Sequence, residues 1–181
     1  MKSISKLIAI IFIVHATMVN AQTDLPTISD LHSGWNIVST DGVCSTGTPF
    51  QFFARPMVDS TELLVYFNGG GACWFGEACD VNSQPNVHTP YADMEINNPA
   101  NMDGIFAFEN PENPFANYSV VVVPYCNGDV HIGGGEQSYT YLNNLGDSVN
   151  LTVFHNGFKN STTVLGWVYR NFPSPNKVVV S

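Results

Sequence analysis

With 181 residues, 44% of them hydrophobic and 12% charged, the chain is long enough to bury one core and lies far from the composition of a disordered polypeptide. Fifteen acidic residues against six basic ones give a formal charge of -9, which argues against nucleic acid or an anionic membrane surface as a partner.

The N-terminal stretch MKSISKLIAIIFIVHATMVNAQ sets Lys2 and Lys6 before an apolar run from Leu7 to Val14 and closes on Val19-Asn20-Ala21, a small-residue cleavage site. This pattern predicts a secretory signal peptide over residues 1–21. His15 and Thr17 interrupt the apolar run well short of the roughly 20 residues that a membrane span needs. The exported chain, residues 22–181, is therefore expected to be extracellular and without a span. It keeps all fifteen acidic residues.

Cys44, Cys73, Cys79 and Cys126 all fall in the exported part, and an even count in such a chain implies disulfides. Three connectivities are open. The short Cys73 to Cys79 spacing suggests a local loop, which leaves Cys44 for Cys126. No Cys-x-x-Cys pair and no histidine at ligand spacing speaks for a metal, and no cofactor is expected. Asn-x-Ser/Thr sequons place candidate glycosylation at Asn117, Asn150 and Asn160 in a eukaryotic host.

The predicted elements begin with ELLVYF, residues 62–67, a short apolar run stopped by Asn68-Gly69 and so a buried strand. Residues 75–117 are rich in Asn, Pro, Asp and Gly and predict a long loop with one short helix. YSVVVVPY, residues 118–125, is apolar on both faces, as strands of a doubly covered parallel sheet are. A glycine-rich loop, CNGDVHIGGG, precedes SYTYLNNLGDSVNLTVF, which predicts a strand or hairpin. Over residues 161–172 the spacing of Val164, Leu165, Trp167, Val168 and Phe172 predicts a helix, with Asn160 or Ser161 as its cap and Pro173 just past its end. NKVVVS, residues 176–181, predicts another buried strand. The order describes an α/β sheet whose connections cross over on its faces.

The Gly69-Gly70-Gly71 run after the first of these strands needs a physical reason, because glycine loses most entropy on folding. A phosphate-binding P-loop would continue into Gly-Lys-Ser/Thr, and Ala72-Cys73-Trp74 follows instead. The dinucleotide fingerprint fails on spacing. What fits is an oxyanion hole, in which backbone N–H groups point into a site and stabilise a tetrahedral intermediate. In α/β-hydrolases that role falls to the loop after the third strand.

The blocks VYFNGGGACWFGEAC, NPFANYSVVVVPYCNGDVHIGG and VFHNGFKNSTTVLGWVYRNFPSPNKVVVS resemble successive blocks of the pectin acetylesterase family, in which the Notum-type carboxylesterases are included. DGVCSTGTPFQFF resembles its first cysteine block. The resemblance runs from about Asp41 to the last residue. It implies an α/β-hydrolase fold, a mostly parallel sheet with crossover helices, incomplete at its C-terminus because the family continues from a block like KVVVS into Gly-Cys-Ser-Ala-Gly. That serine is the family's nucleophile, and the triad Asp and His lie beyond it. By that analogy residues 22–181 are the N-terminal part of a single hydrolase domain, hold no triad member and hydrolyse nothing alone.

The same resemblance places the oxyanion hole on Gly70 and Gly71 with Gly69 and Ala72 as its turn, and supports the pairing of Cys73 with Cys79 and Cys44 with Cys126. Relatives often carry a bulky aromatic where Ala72 stands, which bears on acyl preference. Asp129 and His131 are expected at a pocket rim, His155 as a structural histidine, and Trp74 as a wall of the acyl or sugar site. The parent protein is then a secreted carboxylic ester hydrolase acting on an acylated polysaccharide or another ester. The alternative is a non-catalytic secreted module that binds a glycan or a protein.

Overall fold

A computed structural model describes residues 24–83, 87–95 and 97–181; the expected signal peptide lies outside the described residues. In chain order the elements are β1 (Asn36–Val43), β2 (Pro49–Arg55), β3 (Glu62–Phe67), α1 (Gly76–Cys79), β4 (Ser119–Val123), β5 (Gly135–Leu142), β6 (Ser148–His155), α2 (Gly157–Asn171) and β7 (Lys177–Val180). Isolated 3-10 turns occupy Ile28–Asp30, Pro99–Asn101 and Gly104–Phe106.

One mixed sheet carries its strands in the spatial order β1-β2-β4-β3-β7. β3 runs parallel to both of its neighbours, with Val65 opposite Val121 on one side and Val180 on the other. β2 is antiparallel to β1 and to β4. The α/β reading of the sequence holds, but the expected mostly parallel sheet is corrected by this antiparallel half. The turn between Val43 and Pro49 is too short for a crossover, and only an antiparallel hairpin closes over such a distance. β5 and β6 form a separate two-stranded antiparallel sheet, which resolves the strand-or-hairpin reading.

Alternation along the strands divides the core between two faces. Phe50, Phe52, Ala54, Leu63, Val65, Val121 and Val123 face α2 and meet Val164, Trp167 and Val168. Phe53, Leu64, Val120 and Val122 face the other way, onto Phe106, Met102, Ile105, Phe108 and Phe115. The long segment expected as a loop is therefore the cover of the second face. It needs no long helix, because its aromatic side chains reach the sheet from irregular backbone. Tyr66 and Phe106, for example, meet edge to face at 4.9 Å.

Helix α2 starts at Gly157, about one turn earlier than the apolar spacing predicts. Asn160 and Ser161 are buried within it, so neither caps it. The Gly157 N–H donates instead to the Asp129 carboxylate, 2.7 Å away, a partner from a distant loop that local spacing cannot reveal. Asn160 donates its side-chain amide to the Val43 carbonyl at 3.0 Å and to Asn127 Oδ1 at 2.9 Å. That nitrogen is buried and paired in the fold. Asn117 and Asn150 are exposed.

β7 differs from the buried strand that its sequence predicts. Val178 and Val180 are 49% and 64% exposed, because α2 packs toward β1 and β4 rather than over β7. Disulfides join Cys44 to Cys126 and Cys73 to Cys79, the pairing that the resemblance implies.

Trp167 is the largest fully buried side chain in the α2 face. Its indole N–H donates to the Pro26 carbonyl at 2.6 Å and its ring meets Phe52 at 5.2 Å. Trp167→Ala removes this packing and is expected to cost about 3–5 kcal/mol, read as a lowered midpoint in urea denaturation.

Candidate functional site

Because β3, β4 and β7 are parallel, their C-terminal ends meet at one edge of the sheet. The Phe67 N–H donates to the Ser181 carbonyl at 2.8 Å and the Asn68 N–H to the Val123 carbonyl at 2.9 Å. The glycine run leaves the sheet from this edge. In open α/β sheets that edge is where ligands bind, since the loops there leave a crevice outside the strand ends.

Asn68 ends the paired backbone, and the next backbone donor with a partner is Cys73, whose N–H reaches the Gly128 carbonyl at 2.8 Å. Between them, the N–H groups of Gly69, Gly70, Gly71 and Ala72 meet no protein acceptor among the described residues. Gly69, Gly70 and Gly71 are exposed. A row of unpaired donors at the end of a parallel strand is the chemistry that an oxyanion needs, because the groups are fixed in place before charge develops.

Gly70 and Gly71 are required by their neighbours rather than by their torsions, since none of the three glycines has positive φ. A Cβ on Gly70 would overlap the Tyr125 ring, and one on Gly71 would overlap the Val87 carbonyl. Gly69 stands in open space. Gly70 and Gly71 line a cleft of about 430 Å³ whose other wall is residues 87–91. His88 belongs to that wall, and no pattern in the sequence distinguished it. Ala72 is half-buried behind the glycines.

Other expected site residues fall outside this cleft. Trp74 is 73% exposed and stacks edge to face on Phe75 at 6.1 Å, so it offers an aromatic surface beside the glycine run rather than a wall of the cleft. Asp129 and His131 do not line the cleft rim either. They lie on the loop behind the glycines, where the Asp129 carboxylate accepts the Gly157 and His131 N–H groups. The sequence brought them into view as glycine-flanked polar residues, a pattern that cannot tell a wall from a support.

Two serines sit beside histidines. Ser45 Oγ lies 2.7 Å from His88 Nε2 and Ser161 Oγ lies 3.4 Å from His131 Nδ1. Both serines are buried, at 1% and 6% exposure, and neither presents its hydroxyl to a substrate. His155 is held between the Asn127 carbonyl and the Tyr139 hydroxyl, at 3.0 and 2.9 Å, as expected of a structural histidine. Its ring approaches Cys73 and Cys79 to within 4.8 Å. Those sulfurs are bonded to one another and are not thiolate ligands.

Burial holds the His88 imidazole below its usual range, and the nearby His155 adds to this. The neutral ring is thus favoured in the fold. Its contribution is fully present above the unfolded value near 6.5 and is lost as pH falls below that, where the unfolded chain takes up the proton first.

The sequence model of the pectinacetylesterase family matches residues 14–164. Similar proteins include the palmitoleoyl-protein carboxylesterase NOTUM of Mus musculus, 25% identical over 114 residues, which are 60% of this chain and 22% of that protein. The palmitoleoyl-protein carboxylesterase notum2 of Xenopus laevis is 30% identical over 91 residues, 50% of this chain and 18% of its own length. Notum1a of Danio rerio is 24% identical over 112 residues, 59% of this chain and 22% of its own length. The chain spans about a fifth of the length of these relatives.

Urea unfolding measured from pH 8 to pH 5 is expected to show stability falling below about pH 6.5. His88→Gln removes the titrating ring and is expected to flatten that dependence; an unchanged slope would show that other groups carry it.

Proposed function

From the membership of this chain in the pectinacetylesterase family, we propose that it forms the oxyanion-binding part of a secreted serine carboxylic ester hydrolase. One observation carries the proposal: four consecutive N–H groups, from Gly69 to Ala72, without an acceptor among the described residues, leave the C-terminal end of a central parallel strand beside an open cleft. Gly70 and Gly71 hold the oxyanion of the tetrahedral intermediate, with Gly69 and Ala72 framing them. Ser45 and Ser161, the two serines that lie beside histidines among the described residues, are buried and are not assigned as its nucleophile.

Support for an α/β-hydrolase fold comes from the chain order of oxyanion strand, second strand, helix and third strand. Here those elements are β3, β4, α2 and β7, with β3 central among the parallel three. In this reading residues 22–181 belong to a single hydrolase domain. Secretion is supported by two disulfides, which persist in oxidising compartments. No helix among the described residues is long and apolar enough to cross a membrane.

The substrate in this reading is an O-acetylated polysaccharide. Trp74 and Phe75, exposed next to the glycine run, supply the flat apolar faces on which sugar rings stack. All three relatives described are by name esterases of palmitoleoyl-protein, so a fatty-acylated protein is the competing substrate. A non-catalytic binding module is favoured by the same exposed pair together with the burial of both serines that lie beside histidines.

A fluorophosphonate probe separates these readings. The protein expressed from its native gene is expected to be labelled at a serine and to release acetate from acetylated polysaccharide. Gly71→Val, whose side chain would meet the Val87 carbonyl, is expected to lower kcat by about 10²–10³-fold. Absence of both labelling and acetate release would favour the binding module.

A further inference from the structure

The loop behind the glycine run is strained where it has no local reason to be. Val130 and His131 both have positive φ, at 54° and 61°, and a β-branched residue there is a genuine outlier. Such conformations persist only where their surroundings over-determine them. Here the surroundings are on view. The Val130 N–H donates to the Tyr125 hydroxyl at 2.9 Å and the His131 N–H to Asp129 Oδ1 at 3.1 Å. The Asp129 carboxylate is seated where a Cβ on Gly133 or on Gly157 would overlap it, so those two positions are cleared for it.

The product of this strain is the position of one imidazole. His131 packs against Phe67 and Tyr125, with ring centroids 5.2 and 5.0 Å away. Its Nε2 lies 2.9 Å from the Asn68 carbonyl oxygen. A carbonyl only accepts, so Nε2 carries the proton, and Nδ1 faces the Ser161 hydroxyl at 3.4 Å. Asn68 is thereby held at both backbone groups, its N–H by Val123 and its carbonyl by His131. The peptide linking Asn68 to Gly69 is planar and trans, so its N–H points opposite to its carbonyl. Fixing that carbonyl on His131 aims the Gly69 N–H away from the supporting loop.

We propose that His131 is a positioning residue, which sets the orientation of the Asn68–Gly69 peptide and makes the Gly69 N–H a third donor alongside those of Gly70 and Gly71. Gly69 is then a donor rather than only a turn. The inference rests on the oxyanion reading for its catalytic consequence but not for the clamp itself. Tyr125 serves the same end twice, holding Val130 by its hydroxyl and packing its ring under Gly70.

The test uses the protein expressed from its native gene, with p-nitrophenyl acetate as probe. His131→Phe keeps a ring between Phe67 and Tyr125 and removes the Nε2 donor. It is expected to lower kcat by about 10- to 100-fold, less than the roughly 10²–10³-fold cost of deleting an oxyanion donor because the Gly69 N–H is misaimed rather than removed, with KM changed less than twofold. His131→Gln returns an N–H near the Nε2 position and is expected to recover most of kcat. A merely structural histidine would lower stability in both variants and spare the kcat of the folded fraction. Equal damage in both variants, or kcat in His131→Phe within twofold of the unmutated protein, would overturn the proposal.

If His131→Phe does not fold, Tyr125→Phe decides, with a two- to fivefold loss of kcat in support and an unchanged kcat against. If the unmutated protein turns over no ester, the oxyanion reading fails alone. The clamp is then judged by hydrogen exchange at the Asn68 and Cys73 amides. Faster exchange in His131→Phe but not in His131→Gln supports it, and unchanged protection overturns it.

Discussion

The parallel pairing of β3 with β4 on one side and β7 on the other is the constraint on which everything else here depends. Leu63, Leu64 and Val65 are fully buried between those neighbours, so β3 cannot slip by a residue without turning its side chains to the wrong face. The register fixes where Phe67 ends the strand, and with it where the glycine run begins. It also brings Val123 and Ser181 level with that end, which is why the Asn68 and Phe67 amides find partners there. The residue before the glycine run, Asn68, is anchored at both its N–H and its carbonyl.

A second layer of constraint keeps the run in place. Cys73 closes it on the far side, bonded through its sulfur to Cys79 and through its N–H to Gly128. Beneath it lie Tyr125 and His131, on the loop that continues β4. That loop is joined to the β5–β6 hairpin through Asn127, whose amide donates to the Val43 and Phe154 carbonyls, and to β1 through Cys44 and Cys126. Each of these ties spans a long stretch of chain. Rigid support of backbone donors is what separates an oxyanion hole from a flexible glycine linker of the same composition, because donors that must reorganise during the reaction lose most of their electrostatic value.

The chain covers about a fifth of the length of the relatives described above, and the family match covers residues 14–164, which contain β3, the glycine run, β4 and the supporting loop. The exposed aromatics just past the glycine run are Trp74 and Phe75.

Several features were legible in the sequence because their causes are local. ELLVYF and SVVVV form strands since β-branched and apolar runs of that length pair well with neighbours on both sides, KVVV pairs along one side at the sheet edge, and the glycine run drew notice because nothing local required it. The even cysteine count and the short spacing of Cys73 from Cys79 pointed to the disulfides for the same reason. β1 and β2 were missed although Gly47 turns between them, because NIVSTDGV carries Asp and Gly and PFQFFAR opens on Pro, residues depleted in strands. The start of α2 was misplaced because its first N–H is satisfied by Asp129, from a loop 28 residues earlier. Tertiary structure alone decided that Asn160 is buried, that His88 faces the cleft, and that Asp129 and His131 support the glycine run instead of walling it. Those outcomes depend on which carbonyls and which side-chain rings arrive at one place from distant parts of the chain, and no periodicity or spacing within a segment records that.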